Sequence, residues 1–220
     1  MREMAHARST PPSRGRRTSR LSGDERERSI LETFERLLGE RSWHEISIDD
    51  VARGAGISRP TFYFYFASKE AVLLSLFDRI VAEGRDSRGD ALERIGEHPG
   101  DAIREVIAAY FDRFGAHRAV TLAGAEASVS SPAVRELWSG IMEAWVAEAT
   151  AAIESERARG AAPETVPARD LAIVLLRMNE RVLQTSFSDE APAVAQEAVV
   201  DALVHVWLSA IYDERRSSRD

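Results

Sequence analysis

Residues 46–70, ISIDDVARGAGISRPTFYFYFASKE, decide the fold. Ser47 precedes Asp50 by three positions, the spacing at which a hydroxyl and a carboxyl cap a helix start. Ile48, Val51, Ala52 and Ala55 then give a short helix one apolar face. Gly56 supplies the permissive backbone of a tight turn, and Ile57 can plug the corner behind it. Ser58 is a good N-cap for a second helix, and Pro60 falls in its first turn, where a missing N–H costs little. Phe62 and Phe66, four apart, share an inward face. Arg59 and Tyr63 lie on a second face, and Thr61 and Tyr65 on a third. Consecutive helical residues are about 100° apart, so the aromatic run from Phe62 to Phe66 cannot all be core. A helix-turn-helix whose second helix presents arginine, threonine and tyrosines outward implies DNA binding.

The rest of the chain reads as helices. Ile30, Leu31, Phe34, Leu37 and Leu38 give a first helix over about 24–41 one apolar face, completing a three-helix domain. A fourth helix runs from Lys69 to about Gly84 or past Gly89, with Val72, Leu73, Leu76, Phe77 and Ile80 inward. Prolines and glycines divide the remainder into helices at about 101–116, 118–128, 132–159, 167–187 and 192–213. No segment shows sustained alternation, so the expectation is an all-α protein of about nine helices. The expected divisions are an arm over 1–23, a DNA-binding domain over 24–68, a helical effector-binding and dimerisation domain over 69–215, and a tail over 216–220.

Composition narrows the function. No run approaches the ~18 apolar residues of a membrane helix, and the N-terminal arginines precede no apolar stretch, so a cytoplasmic protein is expected. With no cysteine and no histidine pair at ligand spacing, neither metal nor cofactor is expected. The net charge of -7 is unevenly spread. Residues 1–66 hold twelve arginines against ten acidic residues, about +2, which leaves about -9 for the rest. The Arg-, Ser- and Pro-rich segment over 1–23 reads as a disordered basic arm, whose Arg16 and Arg17 can reach a minor groove or phosphates.

Later helices carry aromatic stripes: Trp138, Met142 and Trp145 on one, Ile107, Tyr110 and Phe114 on another, with Trp207 near the end. Asn179 falls among Leu175, Leu176, Met178, Val182 and Leu183, where a buried amide needs partners. These residues can form plain core or the wall of a small-molecule pocket. A second apolar face on the last two helices, with Leu171, Val174, Val182, Val200, Leu203, Val204, Leu208 and Ile211, suggests a subunit interface. Asp112, His117 and Glu126 are close in sequence, but no nucleophile accompanies them, so an enzyme is not expected.

The block ISIDDVARGAGISRPTFYFYFASKEAVL resembles the DNA-binding domain of the TetR family of bacterial repressors. RGRRTSR, GDERERSIL, RGAAP, MNER and LVHVW extend the resemblance to its EthR-like branch, regulators of a Baeyer–Villiger monooxygenase. The resemblance implies a homodimer, joined through its last two helices, that binds palindromic double-stranded operator DNA. It is released by a small hydrophobic effector. Arg59, Thr61 and Tyr63 would be nearest the bases, with Pro60 against a thymine methyl and Ser47, Tyr65 and Lys69 on phosphates. The implied pocket is lined by Ile107, Phe114, Trp138, Met142, Trp145, Asn179, Leu183 and Trp207, with Tyr110 at a position where the branch has phenylalanine. Leu176, Ile103 and Gln184 replace asparagine, tryptophan and phenylalanine, and Leu176 thereby removes a polar handle. The alternatives are a regulator without an effector, and an activator.

Overall fold

The computed structural model describes residues 22–212, so Arg16 and Arg17, most of the arm and the tail lie outside it. Nine α-helices account for nearly all of the described residues, and no strand occurs among them. They are α1 (Gly23–Leu38), α2 (Ile48–Gly54), α3 (Arg59–Tyr65), α4 (Lys69–Arg88), α5 (Pro99–Ala116), α6 (Arg118–Ser130), α7 (Pro132–Ala158), α8 (Ala168–Ser188) and α9 (Gln196–Tyr212).

Helix starts are encoded locally. Ser22, Ser47, Ser58, Ser68 and Ser131 each place a hydroxyl oxygen to accept from a backbone N–H of the first turn. At Ser22 and Ser47 the third helical residue, Glu25 or Asp50, reaches back to the cap N–H. Pro60, Pro99 and Pro132 occupy first turns. Gly56 takes φ 68° between α2 and α3, and the next amide, Ile57, closes the turn on the Ala52 carbonyl at 3.0 Å.

Two hydrophobic clusters hold the helices. The first joins Ile30, Phe34 and Leu37 of α1 to Val51 of α2, Phe62 of α3, the inward face of α4 and Val120 and Ala123 of α6. The three N-terminal helices therefore share one continuous core with α4 and α6. The second cluster joins α5, α7, α8 and α9 through Ile103, Ile107, Val146, Ile153, Leu175 and Leu203.

Several boundaries differ from the sequence expectations. The first helix ends at Leu38 because Gly39 caps it, and Trp43–Glu45 forms a separate 3₁₀ turn. Another 3₁₀ turn, Ala91–Arg94, sits between α4 and α5. The last helix begins at Gln196 rather than 192, because α8 ends on Asp189 in the left-handed region and the chain stays irregular through the proline. The apolar face assigned to a subunit interface also needs correction. Leu203, Val204 and Ile211 are buried within the subunit, where α5 packs on α9, and Leu171, Val182, Val200 and Leu208 are half-buried against the same cluster. Val174 stays 64% exposed, joined by Ile173 and Val206.

Candidate nucleic-acid interface and effector cavity

Phe62 decides how α3 is presented. Its fully buried ring packs beside Phe66, with centroids 6.2 Å apart, and this fixes the rotation of a two-turn helix. Arg59, Pro60 and Tyr63 are then exposed, and Thr61 is half-exposed. Arg59 donates to Asp49 at 2.9 Å and to the Tyr63 hydroxyl at 3.2 Å, so arginine and phenol stand together as one outward surface. Thr61 Oγ1 lies 2.8 Å from Ser58 Oγ. Phe64, assigned no role from sequence, is 82% exposed beside them. The signal was present: helical rotation places it opposite Phe62 and Phe66.

The residues expected at the flanks are differently placed. Ser47 is exposed, but its hydroxyl donates to Asp50 Oδ2 at 2.6 Å within the cap. Tyr65 is half-buried against the first cluster. Lys69 turns toward the protein, donating to the carbonyls of Trp43 at 2.8 Å and Ile46 at 3.2 Å, with its ammonium 4.2 Å from the Trp43 ring centre. Desolvation lowers its pKa. Two of its three donors are thus committed to tying the 3₁₀ turn to α4, rather than pointing outward.

A cavity of about 280 Å³ lies among α4 to α9, near the lower end of the usual range for small-molecule sites. All nine residues named from sequence line it: Ile107, Tyr110, Phe114, Trp138, Met142, Trp145, Asn179, Leu183 and Trp207. So do Ile103, Leu176 and Gln184. Trp138, Trp145 and Phe114 meet edge to face at about 6 Å, and Tyr110 packs against Trp145 at 4.9 Å. The Asn179 carbonyl accepts from Trp207 Nε1 at 3.0 Å, which answers the need of a buried amide.

Two carboxylates in the lining were missed. Glu180 accepts from Trp138 Nε1 and from Arg177, and Glu148 pairs with Arg88. Glu180 was findable: with Leu176, Asn179 and Leu183 it completes an i, i+3, i+4, i+7 face. Asp112, His117 and Glu126 do not converge on a site. His117 bridges Glu35 of α1 at 2.6 Å and Glu83 of α4 at 3.6 Å, and Glu126 accepts from the Trp43 amide at 3.3 Å. No cluster of three metal-ligating side chains occurs among the described residues. No helix among them is long and apolar enough to cross a membrane.

Residues 30–76 match the model of bacterial regulatory proteins of the tetR family, and residues 103–213 match that of the C-terminal domain of the transcriptional regulator EthR. The HTH-type transcriptional regulator EthR of Mycolicibacterium smegmatis is 52% identical over 209 residues, covering 95% of this chain and 96% of that protein. This chain belongs to the TetR family. EthR of Mycobacterium tuberculosis is also 52% identical, over 92% of this chain and 94% of its own length. The fold is shared with the fatty acid degradation regulator FadR of Bacillus halodurans, at TM-score 0.71 and 16% identity over 86% of this chain and 97% of that one. The protein is thus a DNA-binding transcriptional regulator with an EthR-type C-terminal domain, and its curated relatives are named as regulators rather than enzymes.

Proposed function

We propose that this regulator is a cytoplasmic homodimeric repressor that leaves a palindromic operator when a small hydrophobic ligand fills the cavity among α4 to α9. The observation that carries the reading is a cavity walled by aromatic side chains of α4, α5, α7 and α9 and also lined by α6, with buried residues of α4 and α6 packing in the same cluster as the DNA-binding helices. Phe77 belongs to both: it lies in the first cluster and lines the cavity. His117 and Glu126 supply further polar links between the halves. A ligand shifts the equilibrium only by its different affinity for the DNA-competent and released conformers. The domain division at 68/69 and a monooxygenase gene as target belong to the same reading, the latter on family likeness.

The test is thermal unfolding and gel shift with a panel of neutral apolar compounds. At a hundredfold excess over Kd a ligand stabilises the fold by about 2.7 kcal/mol, roughly 5–10 °C for a chain of this size. The same compound should release operator DNA. Stabilisation without release would favour a ligand with no part in DNA binding.

On the DNA side, α3 enters the major groove with Arg59, Pro60, Thr61 and Tyr63 at the bases, Ser47, Tyr65 and the remaining donor of Lys69 near phosphates, and Arg16 and Arg17 beyond them. Tyr63→Ala should weaken operator binding about tenfold or more, on a contact worth about 1–3 kcal/mol, with an unchanged melting temperature because the side chain is exposed. Unchanged gel-shift affinity would remove Tyr63 from the reading surface.

The dimer forms through α8 and α9, the two helices that leave Ile173, Val174 and Val206 exposed. Val174→Glu should convert the dimer to monomer in sedimentation velocity, since an uncompensated carboxylate in an apolar interface is strongly disfavoured. A dimer that survives this change would move the interface elsewhere.

A further inference from the structure

Two neighbouring aspartates lie in the first turn of α2 and make different contacts. Asp50 serves the helix start: it accepts from the Ser47 amide and hydroxyl, and it pairs with Arg53 at 3.3 Å and Arg41 at 3.7 Å. Asp49 pairs outside its own helix. Its Oδ2 accepts from Arg59 Nη1 at 2.9 Å, across the turn and ten positions on. Arg59 opens α3, and its other terminal nitrogen donates to the Tyr63 hydroxyl at 3.2 Å. The guanidinium carbon stands 5.7 Å from the centre of the Tyr63 ring. The arginine is thus gripped from two helices, by a carboxylate of α2 and a phenol of α3.

Stability does not account for the carboxylate. The Arg59 and Asp49 side chains are 53% and 54% exposed, and an ion pair so open to water contributes little to folding. Buried Val51 and Phe62 already join α2 and α3 in the first cluster. On a surface that meets DNA, a carboxylate also repels phosphate. What it supplies is orientation. A guanidinium carries five N–H donors in a rigid fork, and Asp49 and Tyr63 take one hydrogen from each terminal nitrogen. Each terminal nitrogen keeps a second hydrogen, and two such donors are what the O6 and N7 acceptors of a guanine edge require. An unheld arginine would sample many rotamers and meet phosphate as readily as base.

We propose, on the reading that Arg59 of α3 contacts a base, that Asp49 is a positioning residue for operator selectivity. It holds the Arg59 fork toward a guanine, and its charge disfavours every duplex on which that fork finds no guanine. Asp49 therefore lowers affinity for DNA in general and raises discrimination between sequences.

The full chain is used to select a duplex from a random library, and its binding is compared with that of a shuffled duplex of the same length and composition by fluorescence anisotropy at low and physiological salt. Arg59→Ala should lower the preference for the selected duplex about tenfold or more, the loss of one bidentate contact. Asp49→Ala should lower that preference about three- to tenfold. It should do so by binding the shuffled duplex more tightly, most clearly at low salt, and the selected duplex no more tightly. In the Arg59→Ala background, Asp49→Ala should leave the preference unchanged. Equal strengthening or equal weakening of both duplexes by Asp49→Ala overturns the positioning role while Arg59 keeps its place at a base. A fall in preference that persists in full without Arg59 puts Asp49 itself on a base, as an acceptor from cytosine N4, and also overturns the role. An unaltered preference in Arg59→Ala overturns both the role and the base contact on which it rests.

Discussion

Replacing Phe62 by alanine is expected to destabilise the protein by about 3–5 kcal/mol and to abolish operator binding. The ring is fully buried, touches Phe66 and Tyr63, and is the only side chain of the seven-residue α3 that is buried outright. So short a helix has too few internal hydrogen bonds to persist alone, and its order comes from this anchor. The cavity left behind would open the core shared by α1, α2 and α4. Calorimetry should show a lower midpoint for the whole chain, because that core is continuous. A lowered DNA affinity with an unchanged melting curve would contradict the assignment of Phe62 as an anchor.

Glu156→Ala should cost about 2–3 kcal/mol. This is less than the 3–5 kcal/mol of a fully enclosed pair because Arg159 is open to solvent. Glu156 is 0% exposed near the end of α7 and accepts from Arg159 and from the Tyr212 hydroxyl at 2.9 Å, fastening the end of α9 to α7. Arg159 holds its carboxyl below the ordinary value of 4.5 against the opposing effect of burial, with the Tyr212 hydrogen bond assisting. Burial, with Glu156 alongside, raises the Tyr212 phenol, which therefore stays a donor across the physiological range. For a carboxyl depressed in the folded state, the stabilisation is present above the unfolded value and is lost as pH falls through the folded one. Wild type should thus lose this contribution below about pH 4.5, and Glu156→Ala should lack that component. Parallel pH–stability curves for the two proteins would refute it.

Much of the fold was legible because its signals are local. A serine at each of five helix starts, prolines in first turns and apolar residues three and four apart act within a few residues of where they lie. Seven of the nine cavity residues named from sequence, Ile107, Tyr110, Phe114, Trp138, Met142, Trp145 and Trp207, could be picked out as aromatic stripes or a late tryptophan. Their position beside an open space, rather than in closed core, depends on how far apart the helices stand. No periodicity specifies that distance.

What the sequence could not show was set by distant partners. The carbonyls of Trp43 and Ile46, more than twenty positions earlier, take two of the donors of Lys69. Leu203, Val204 and Ile211 looked like interface until α5 covered them. Glu148 carried no signal, since a carboxylate on a helix is ordinarily a solvated surface group. By itself the sequence determined the helices, the outward face of α3 and the family, because capping, turning and facing are decided within one or two turns of chain. Only the tertiary structure decided which apolar faces were already covered, which charges were committed inward, and which side chains line a cavity. Those follow from the packing of helices far apart in the chain, and burial and pairing belong to that packing rather than to any one segment.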